Sequence, residues 1–279
     1  MLFFKKPNAR VNVIKLSGVI AQSGNKSLNL ESVKKLIDKG FIFSSTKNKV
    51  LAIVINSPGG SPVQSELIAN YVLYKNKTVK AKIIVFVEDV AASGGYWLAL
   101  MGSEIYSLSS NSIVGSLGVV SAGFGLEDFI QKYGIKRRVY TAGKKKVSLD
   151  MFSEEKEEDI ARLKDLLAKV HINFKNWVLE RRGSKIKLDE EELFSGAFWL
   201  ATQGLEFGLI DGLANTLEGK LKELYGEKVK INYVFNKQKK GLISSLLGIK
   251  SHSNSIADDF LDNAFVKIQE QNYLQKLGL

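Results

Sequence analysis

A serine between an apolar run and two glycines is the clearest candidate for a catalytic residue. The stretch Ala91-Ala-Ser-Gly-Gly95 follows the apolar run Ile83–Val87 and precedes a helix-compatible segment that begins at Tyr96. Such a turn exposes the serine oxygen, and the next amide and the helix N-terminus then lie where an oxyanion would be stabilised. Ser93 is therefore a candidate nucleophile, and the competing interpretation is a serine that only caps the helix.

A second glycine pair follows a neighbouring apolar run. It lies in Asn56-Ser-Pro-Gly-Gly60, directly after Val50–Ile55. Two parallel strands end at the same sheet edge, so the amides of this turn could approach the turn at Ser93 and complete an oxyanion hole. The simpler interpretation is a Pro-Gly turn before a helix. The stretch matches neither phosphate-binding nor dinucleotide-binding glycine motifs.

A nucleophilic serine needs a base, and histidine is scarce. The sequence contains His171, in a helical pattern, and His252, in a polar stretch, and it contains no cysteine. These counts exclude cysteine peptidases and Cys-ligated zinc, and they disfavour a Ser-His-Asp triad or a multi-histidine metal site. We therefore expect no metal and no cofactor.

Lysine is the alternative base. An ordinary lysine has a pKa of about 10.4, so a lysine base must be desolvated. The triplet Lys144–Lys146 runs into a segment with alternating apolar residues. If that segment is extended, Lys145 shares a face with Val147 and Leu149 and is the more readily buried lysine. The simpler interpretation is a solvated or phosphate-binding triplet.

The surrounding pattern predicts an α/β protein with a mostly parallel sheet, because short β-branched runs alternate with helical stretches. The runs are Val11–Leu16, Val50–Ile55, Lys82–Val87, Glu104–Leu108, Val114–Val120, Arg137–Tyr140 and a late Val229–Phe235. A long helix is predicted from Ser153, as its cap, to Gly183.

Three parts are predicted along the chain: an N-terminal extension at 1–10, one domain at 11–240 and an amphipathic tail at 241–279. Neither a signal peptide nor a transmembrane run is recognised. The net charge is +11. We expect a cytoplasmic location, with peripheral contact to an anionic membrane left open.

Five stretches together resemble the signal peptide peptidase A family (SppA, protease IV), and more closely its short, soluble SohB-like members. In chain order they are Ile55–Ser61, Val90–Tyr96, Ile113–Val119, Tyr140–Lys146 and Gly208–Gly212. The resemblance covers roughly Val11–Phe235 and implies a ClpP/crotonase-like spiral of ββα units that acts as a serine peptidase. It also implies a homo-oligomer that admits extended peptides.

Carried over by motif position, the resemblance implies Ser93 as the nucleophile and Lys146 as the general base. Gly60 and Gly94 would supply the oxyanion-hole amides, and Ser116 would orient the lysine amine. Larger family members have an N-terminal membrane anchor, which this sequence does not show.

Two other functions compete with a peptidase. A crotonase-type acyl-CoA enzyme would use the same paired amides on a thioester, with a Glu or Asp base. A non-catalytic basic module would bind RNA or anionic lipid through Lys136–Arg138, Lys144–Lys146 and Lys237–Lys240. No aromatic-interleaved RNA motif is present, so no specific nucleic-acid partner is expected.

Overall fold

The computed structural model describes residues 9–24, 27–43, 48–143 and 145–235. Lys144, His252, the basic run at 237–240, the tail at 241–279 and most of the N-terminal extension lie outside these ranges. The described residues form two compact units. One runs up to Leu117 and resumes at Trp177, and the other is Gly118–Asn176.

The first unit is built on a single sheet. Its strands are β1 Arg10–Ser17, β2 Lys49–Ser57, β3 Lys82–Ala92, β4 Glu104–Ser107, β5 Ile113–Gly115, β6 Phe198–Leu200, β7 Gly212–Leu213 and β8 Lys230–Tyr233. The main order is β6-β5-β3-β2-β1-β8, with β4 beside β3 and β7 beside β4. Within the described residues only the β5–β6 pair is antiparallel. This confirms the predicted α/β fold with a mostly parallel sheet.

Helices connect most of these strands. They are α1 Leu30–Gly40, α2 Pro62–Val79, α3 Gly94–Ala99, α4 Glu127–Lys132, α5 Glu157–Arg182, α6 Glu190–Leu193, α7 Ala201–Glu206 and α8 Leu217–Tyr225, with a 3₁₀ turn at Gly183–Lys185. Helix α2 begins directly after the second glycine pair, where the Ser61 hydroxyl accepts a hydrogen bond from the Gln64 amide. Pro62 occupies the first helical position, where its missing N–H costs no hydrogen bond.

The central strands are apolar because they are buried on both faces of the sheet. Residues Val50–Ile55 of β2 are all buried, because the strand pairs in parallel with β1 and β3 and both sheet faces are covered. Strand β3 continues past the predicted Val87 to Ala92. Its first half pairs with β4 and its last three residues pair with β5, after a register shift in the β2–β3 ladder. The end of β3 therefore reaches a different neighbour from its beginning.

Several predicted elements differ in the structure. Arg137–Tyr140 is not a strand: Tyr140 is 90% exposed and the segment has no ladder partner in the described chain. A β-branched composition favours a strand only where a sheet receives it. The predicted Val114–Val120 strand is reduced to Ile113–Gly115, and the long helix begins at Glu157 rather than after Ser153. The predicted late strand is confirmed as β8.

No helix among the described residues is both long and apolar enough to cross a bilayer.

Candidate active site

Ser93 lies in an unusual backbone conformation between β3 and α3. Its φ is +52° and its ψ is −121°, a region that non-glycine residues seldom adopt. Its side chain makes no capping hydrogen bond to α3 and is partly exposed. The helix-capping interpretation is therefore wrong, and the strained turn presents the hydroxyl at the N-terminus of a helix, as in a nucleophile elbow.

The two glycines after Ser93 allow the turn to pack against β2. A Cβ on Gly95 would collide with the carbonyl oxygen of Ser57, so only glycine fits there. The helix starts at once, because the Trp97 amide donates to the Ser93 carbonyl oxygen over 3.0 Å. Helix α3 is thereby brought directly behind the candidate nucleophile.

The second glycine turn touches the Ser93 turn. A Cβ on Gly59 would lie 2.8 Å from both the Gly94 nitrogen and the Ser93 Cβ, and a Cβ on Gly94 would lie 3.4 Å from the Gly60 nitrogen. Within the part of the chain that the structure describes, the amides of Gly60 and Gly94 have no hydrogen-bond acceptor. The geometry thus leaves two free donors beside one serine.

The Gly59–Gly60 turn is held by the chain that follows β1. The Ile20 amide donates to the Gly59 carbonyl oxygen over 2.8 Å, and the Ser61 amide donates to the Ile20 carbonyl oxygen over 2.7 Å. Gly60 has a φ of +132°, and a Cβ on it would collide with that Ile20 carbonyl. A larger residue at this position would push the turn away from Ser93.

The buried Ser57 side chain fixes the same turn from beneath. Its hydroxyl donates to the Gly18 carbonyl oxygen over 2.7 Å and accepts from the Gly59 amide over 3.2 Å. Sequence reasoning quoted Ser57 only as part of a motif and gave it no role. Its full burial, which depends on the tertiary fold, shows that its hydroxyl supports the Gly59–Gly60 turn.

Ser116 follows the strand that pairs with the end of β3. The register places Ala92 beside Gly115, and the Ser93 amide donates to the Gly115 carbonyl oxygen over 2.8 Å. Ser116 has a φ of +55°, and its amide donates to the Ala197 carbonyl oxygen over 2.7 Å. The structure therefore brings Ser93, Gly60, Gly94 and Ser116 into one neighbourhood.

The lysines belong to the second unit. Lys146 is exposed, and its amide donates to the Gly143 carbonyl oxygen over 3.1 Å. Lys145 is also exposed and its amine lies 3.3 Å from the Glu158 carboxylate. The segment around them consists of turns and bends, so the alternation argument for burial of Lys145 is wrong.

Helix α3 is anchored at its far end by two residues of α5 to which sequence reasoning assigned no functional role. The Trp177 indole donates to the Trp97 carbonyl oxygen over 3.1 Å, and the Arg181 guanidinium donates to the carbonyl oxygens of Leu100 and Met101. A cation on the carbonyls at a helix C-terminus is stabilising.

No group of three metal-ligating side chains occurs among the described residues.

Comparison with known proteins gives the family. The model of peptidase family S49 matches residues 75–226, which include Ser93, Gly94, Ser116 and Lys146. The chain belongs to peptidase family S49. Its mostly parallel α/β sheet agrees with the ClpP-like fold expected for this family.

Curated relatives include proteins named as proteases and one named as an antiporter. A putative protease of Synechocystis is 29% identical over 91% of this chain and 88% of its own length. The probable protease SohB of Haemophilus influenzae is 28% identical over 84% of this chain and 63% of its own length. The Na⁺/H⁺ antiporter NhaA of Brucella melitensis is 44% identical over 91% of this chain, yet the chain spans only 34% of that protein.

Proposed function

We propose that this S49 chain is a serine endopeptidase with a Ser93–Lys146 dyad that cleaves unfolded or extended peptides, including signal-peptide remnants and membrane-derived segments. The observation that carries the proposal is the pair of free amides, Gly60 and Gly94, beside a serine in a strained turn. Two fixed donors at a carbonyl oxygen stabilise the charge that develops during acyl transfer.

The proposed reaction proceeds through an acyl-enzyme. The neutral amine of Lys146 accepts the proton of the Ser93 hydroxyl as its oxygen attacks the peptide carbonyl, and the amides of Gly60 and Gly94 hold the oxyanion. The lysine then gives that proton to the leaving amine as the C–N bond breaks. Water, deprotonated by the same lysine, attacks the ester; the lysine then returns that proton to the Ser93 oxygen as the ester C–O bond breaks and the acid product leaves.

Labelling of Ser93 tests this proposal. We expect a fluorophosphonate probe to label the wild-type chain and a quenched apolar peptide to be cleaved. Ser93→Ala and Lys146→Ala should each lose both activities by at least about 1,000-fold. Lys145→Ala is the matched control, because Lys145 is a neighbouring exposed lysine whose amine is paired with Glu158. Equal labelling of Lys146→Ala and wild type would reject the dyad.

We also propose that the chain forms a homo-oligomer, supported by the apolar surface of the second unit. The side chains exposed there are Val120, Phe124, Phe129, Tyr133, Ile135, Val139, Tyr140, Val147 and Met151. An apolar surface of this kind is typical of an interaction site. A second copy covering it would also remove water from the neighbouring Lys146, as a lysine base requires.

Sedimentation velocity tests the assembly. The wild-type chain should sediment as an oligomer at micromolar concentration, and the double substitution Phe124→Ser with Tyr140→Ser should shift it toward the monomer. Peptidase activity per chain should fall with it, because Lys146 would remain hydrated. A wild-type chain that stays monomeric, or a variant that assembles unchanged, would contradict this part of the proposal.

For location, we propose the cytoplasm, with peripheral contact to anionic membrane. Support comes from the net charge of +11 and from Lys136, Arg137 and Arg138, all exposed. Anionic vesicles should retain the chain at low salt and release it as salt is raised, since surface charges are screened. Failure to bind such vesicles at low salt would refute the proposed membrane contact.

A further inference from the structure

A buried arginine lies behind the candidate active site. The Arg182 side chain is 2% exposed, although it carries a charge. Its guanidinium donates to the Gly208 carbonyl oxygen over 3.2 and 2.6 Å and to an Asp211 carboxylate oxygen over 2.6 Å. A buried charge is tolerated only when it is paired and hydrogen-bonded, so Arg182 depends on this turn and the turn on Arg182.

The turn Gly208–Asp211 is also bonded to the sheet. Asp211 accepts a hydrogen bond from the Ile105 amide over 2.8 Å, and its own amide donates to the Ile105 carbonyl oxygen over 2.7 Å. The Lys185 amine lies 2.5 Å from the other carboxylate oxygen of Asp211. Through these bonds the turn has one fixed position against β4.

One tyrosine connects this turn to helix α3. The Tyr96 hydroxyl donates to the Leu209 carbonyl oxygen over 2.7 Å, and the Tyr96 side chain is fully buried. Burial raises the pKa of this hydroxyl above its ordinary value, so it stays protonated and remains a donor. The bond therefore persists across the pH range in which a peptidase would work.

The position of Tyr96 along α3 makes this bond relevant to Ser93. The two residues between them, Gly94 and Gly95, have no side chains, so Tyr96 is the first residue after Ser93 that can fix the helix through a side chain. Helix α3 has only six residues and cannot be held by its own hydrogen bonds. The strained φ of Ser93 must then be maintained by contacts of this kind.

We propose that Tyr96 is a positioning residue for Ser93, and that the Arg182–Asp211 ion pair fixes the Leu209 carbonyl to which Tyr96 is bonded. The proposal rests on the proposed peptidase function. Tyr96 would touch neither substrate nor oxyanion. It would set the direction in which Ser93 and the Gly94 amide point, and a small misplacement of such groups lowers the rate of the chemical step more than it weakens binding.

Tyr96→Phe is the primary test, because it removes one hydrogen bond and keeps the ring. We expect kcat and the rate of fluorophosphonate labelling to fall about tenfold, within the roughly 100-fold that a 1 Å misplacement can cost, while KM changes less than about twofold. Amide hydrogen exchange in Ser93–Trp97 should become faster.

Tyr106→Phe is the matched control. Tyr106 is also a buried tyrosine of the same unit; its hydroxyl donates to Glu104 over 3.0 Å, and the core cluster to which it belongs includes no residue of α3. It should lower the melting temperature by about 2–4 °C, as Tyr96→Phe should, but leave kcat and exchange in α3 at wild-type values. A fall in kcat of equal size in both variants would show general destabilisation and overturn the proposal.

Arg182→Lys extends the test to the ion pair. A lysine keeps the charge near Asp211 but lacks the planar fork that donates twice to the Gly208 carbonyl and once to that carboxylate. The variant should show the same loss of kcat as Tyr96→Phe, and the double variant should lose little more, because both act through one bond. Additive losses, or normal kcat in Arg182→Lys, would contradict the role of the ion pair.

Different results would contradict the peptidase function and the positioning role of Tyr96. If the wild-type chain is neither labelled nor active on peptides, the peptidase function is wrong, and hydrogen exchange still decides whether Tyr96 holds α3. If wild type is active and Tyr96→Phe has wild-type kcat and wild-type exchange, the positioning role is wrong and the peptidase function stands.

Discussion

The Ser93 amide donates a hydrogen bond of 2.8 Å to the carbonyl oxygen of Gly115. This bond continues the short parallel ladder in which Ala92 pairs with Gly115, and so it places Ser93 next to Ser116. Both serines have positive φ values, +52° and +55°. The end of β3 and the end of β5 therefore turn away from the sheet together, and their hydroxyl-bearing residues leave it side by side.

The strain at Ser93 predicts that two inactive variants differ in stability. Ser93→Gly and Ser93→Ala both lack the hydroxyl, but glycine adopts φ +52° without cost. We expect Ser93→Gly to be more stable than Ser93→Ala by about 1 kcal/mol in urea unfolding, since such strain costs roughly 1–3 kcal/mol. Equal stabilities of the two inactive variants would show that the turn is unstrained.

The glycine at the second turn should be irreplaceable. Gly60→Ala places a methyl group against the Ile20 carbonyl at a φ of +132°, so the turn must move away from Ser93. We expect at least about a 100-fold loss of kcat, as for removal of an oxyanion donor. Gly123→Ala is the control, because nothing lies within 4 Å of its Cβ position and its φ is ordinary. Similar kinetics for both variants would refute the assignment of Gly60.

Ser57 should matter for stability and for activity together. Ser57→Ala leaves the buried Gly59 amide and one bond of the Gly18 carbonyl unsatisfied, which costs about 1–3 kcal/mol. The same change loosens the oxyanion turn, so labelling of Ser93 should slow. Ser61→Ala, which removes only the α2 cap, should cost about 1 kcal/mol and leave labelling unchanged. Equal labelling rates in Ser57→Ala and Ser61→Ala would count against this role.

Asp211 predicts a pH-dependent contribution to stability. Burial alone would raise its pKa, but hydrogen bonds from Lys185, the Ile105 amide and Arg182 outweigh burial, and the pKa lies below its ordinary value of 3.8. A lowered carboxyl pKa stabilises the fold above pH 3.8, and this contribution is lost as the pH falls through the folded-state pKa.

We therefore expect Asp211→Asn to be less stable than wild type by about 3 kcal/mol at pH 7, since it leaves the buried Arg182 without its counter-ion. In urea unfolding the difference should shrink toward pH 3. Lys185→Gln, which removes only the more exposed partner, should cost much less at pH 7. A difference between Asp211→Asn and wild type that does not change with pH would argue against an ionic bond.

The fold could be predicted from the sequence where its signals are long. The apolar runs at Val50–Ile55 and Ile83–Val87 are those of strands buried on both faces, and the structure confirms them as β2 and β3. Strands β6 and β7 have three and two residues, too few for any periodicity, and no pattern predicted them. Arg137–Tyr140 has the composition of a strand, but none of the strands that the structure describes pairs with it.

By itself, the sequence determined that Ser93 lies between a buried strand and two glycines and that a second glycine pair follows another buried strand, because local composition encodes turns and buried strands. Only the tertiary structure decided that the two turns touch, that β3 reaches β5, and that Tyr96 meets the Leu209 carbonyl behind a buried Arg182–Asp211 pair. These contacts join residues far apart in the chain. They depend on strand order and burial, which a local sequence pattern does not predict. The pairing of Ser93 with Lys146 stays a prediction that the labelling experiment will test.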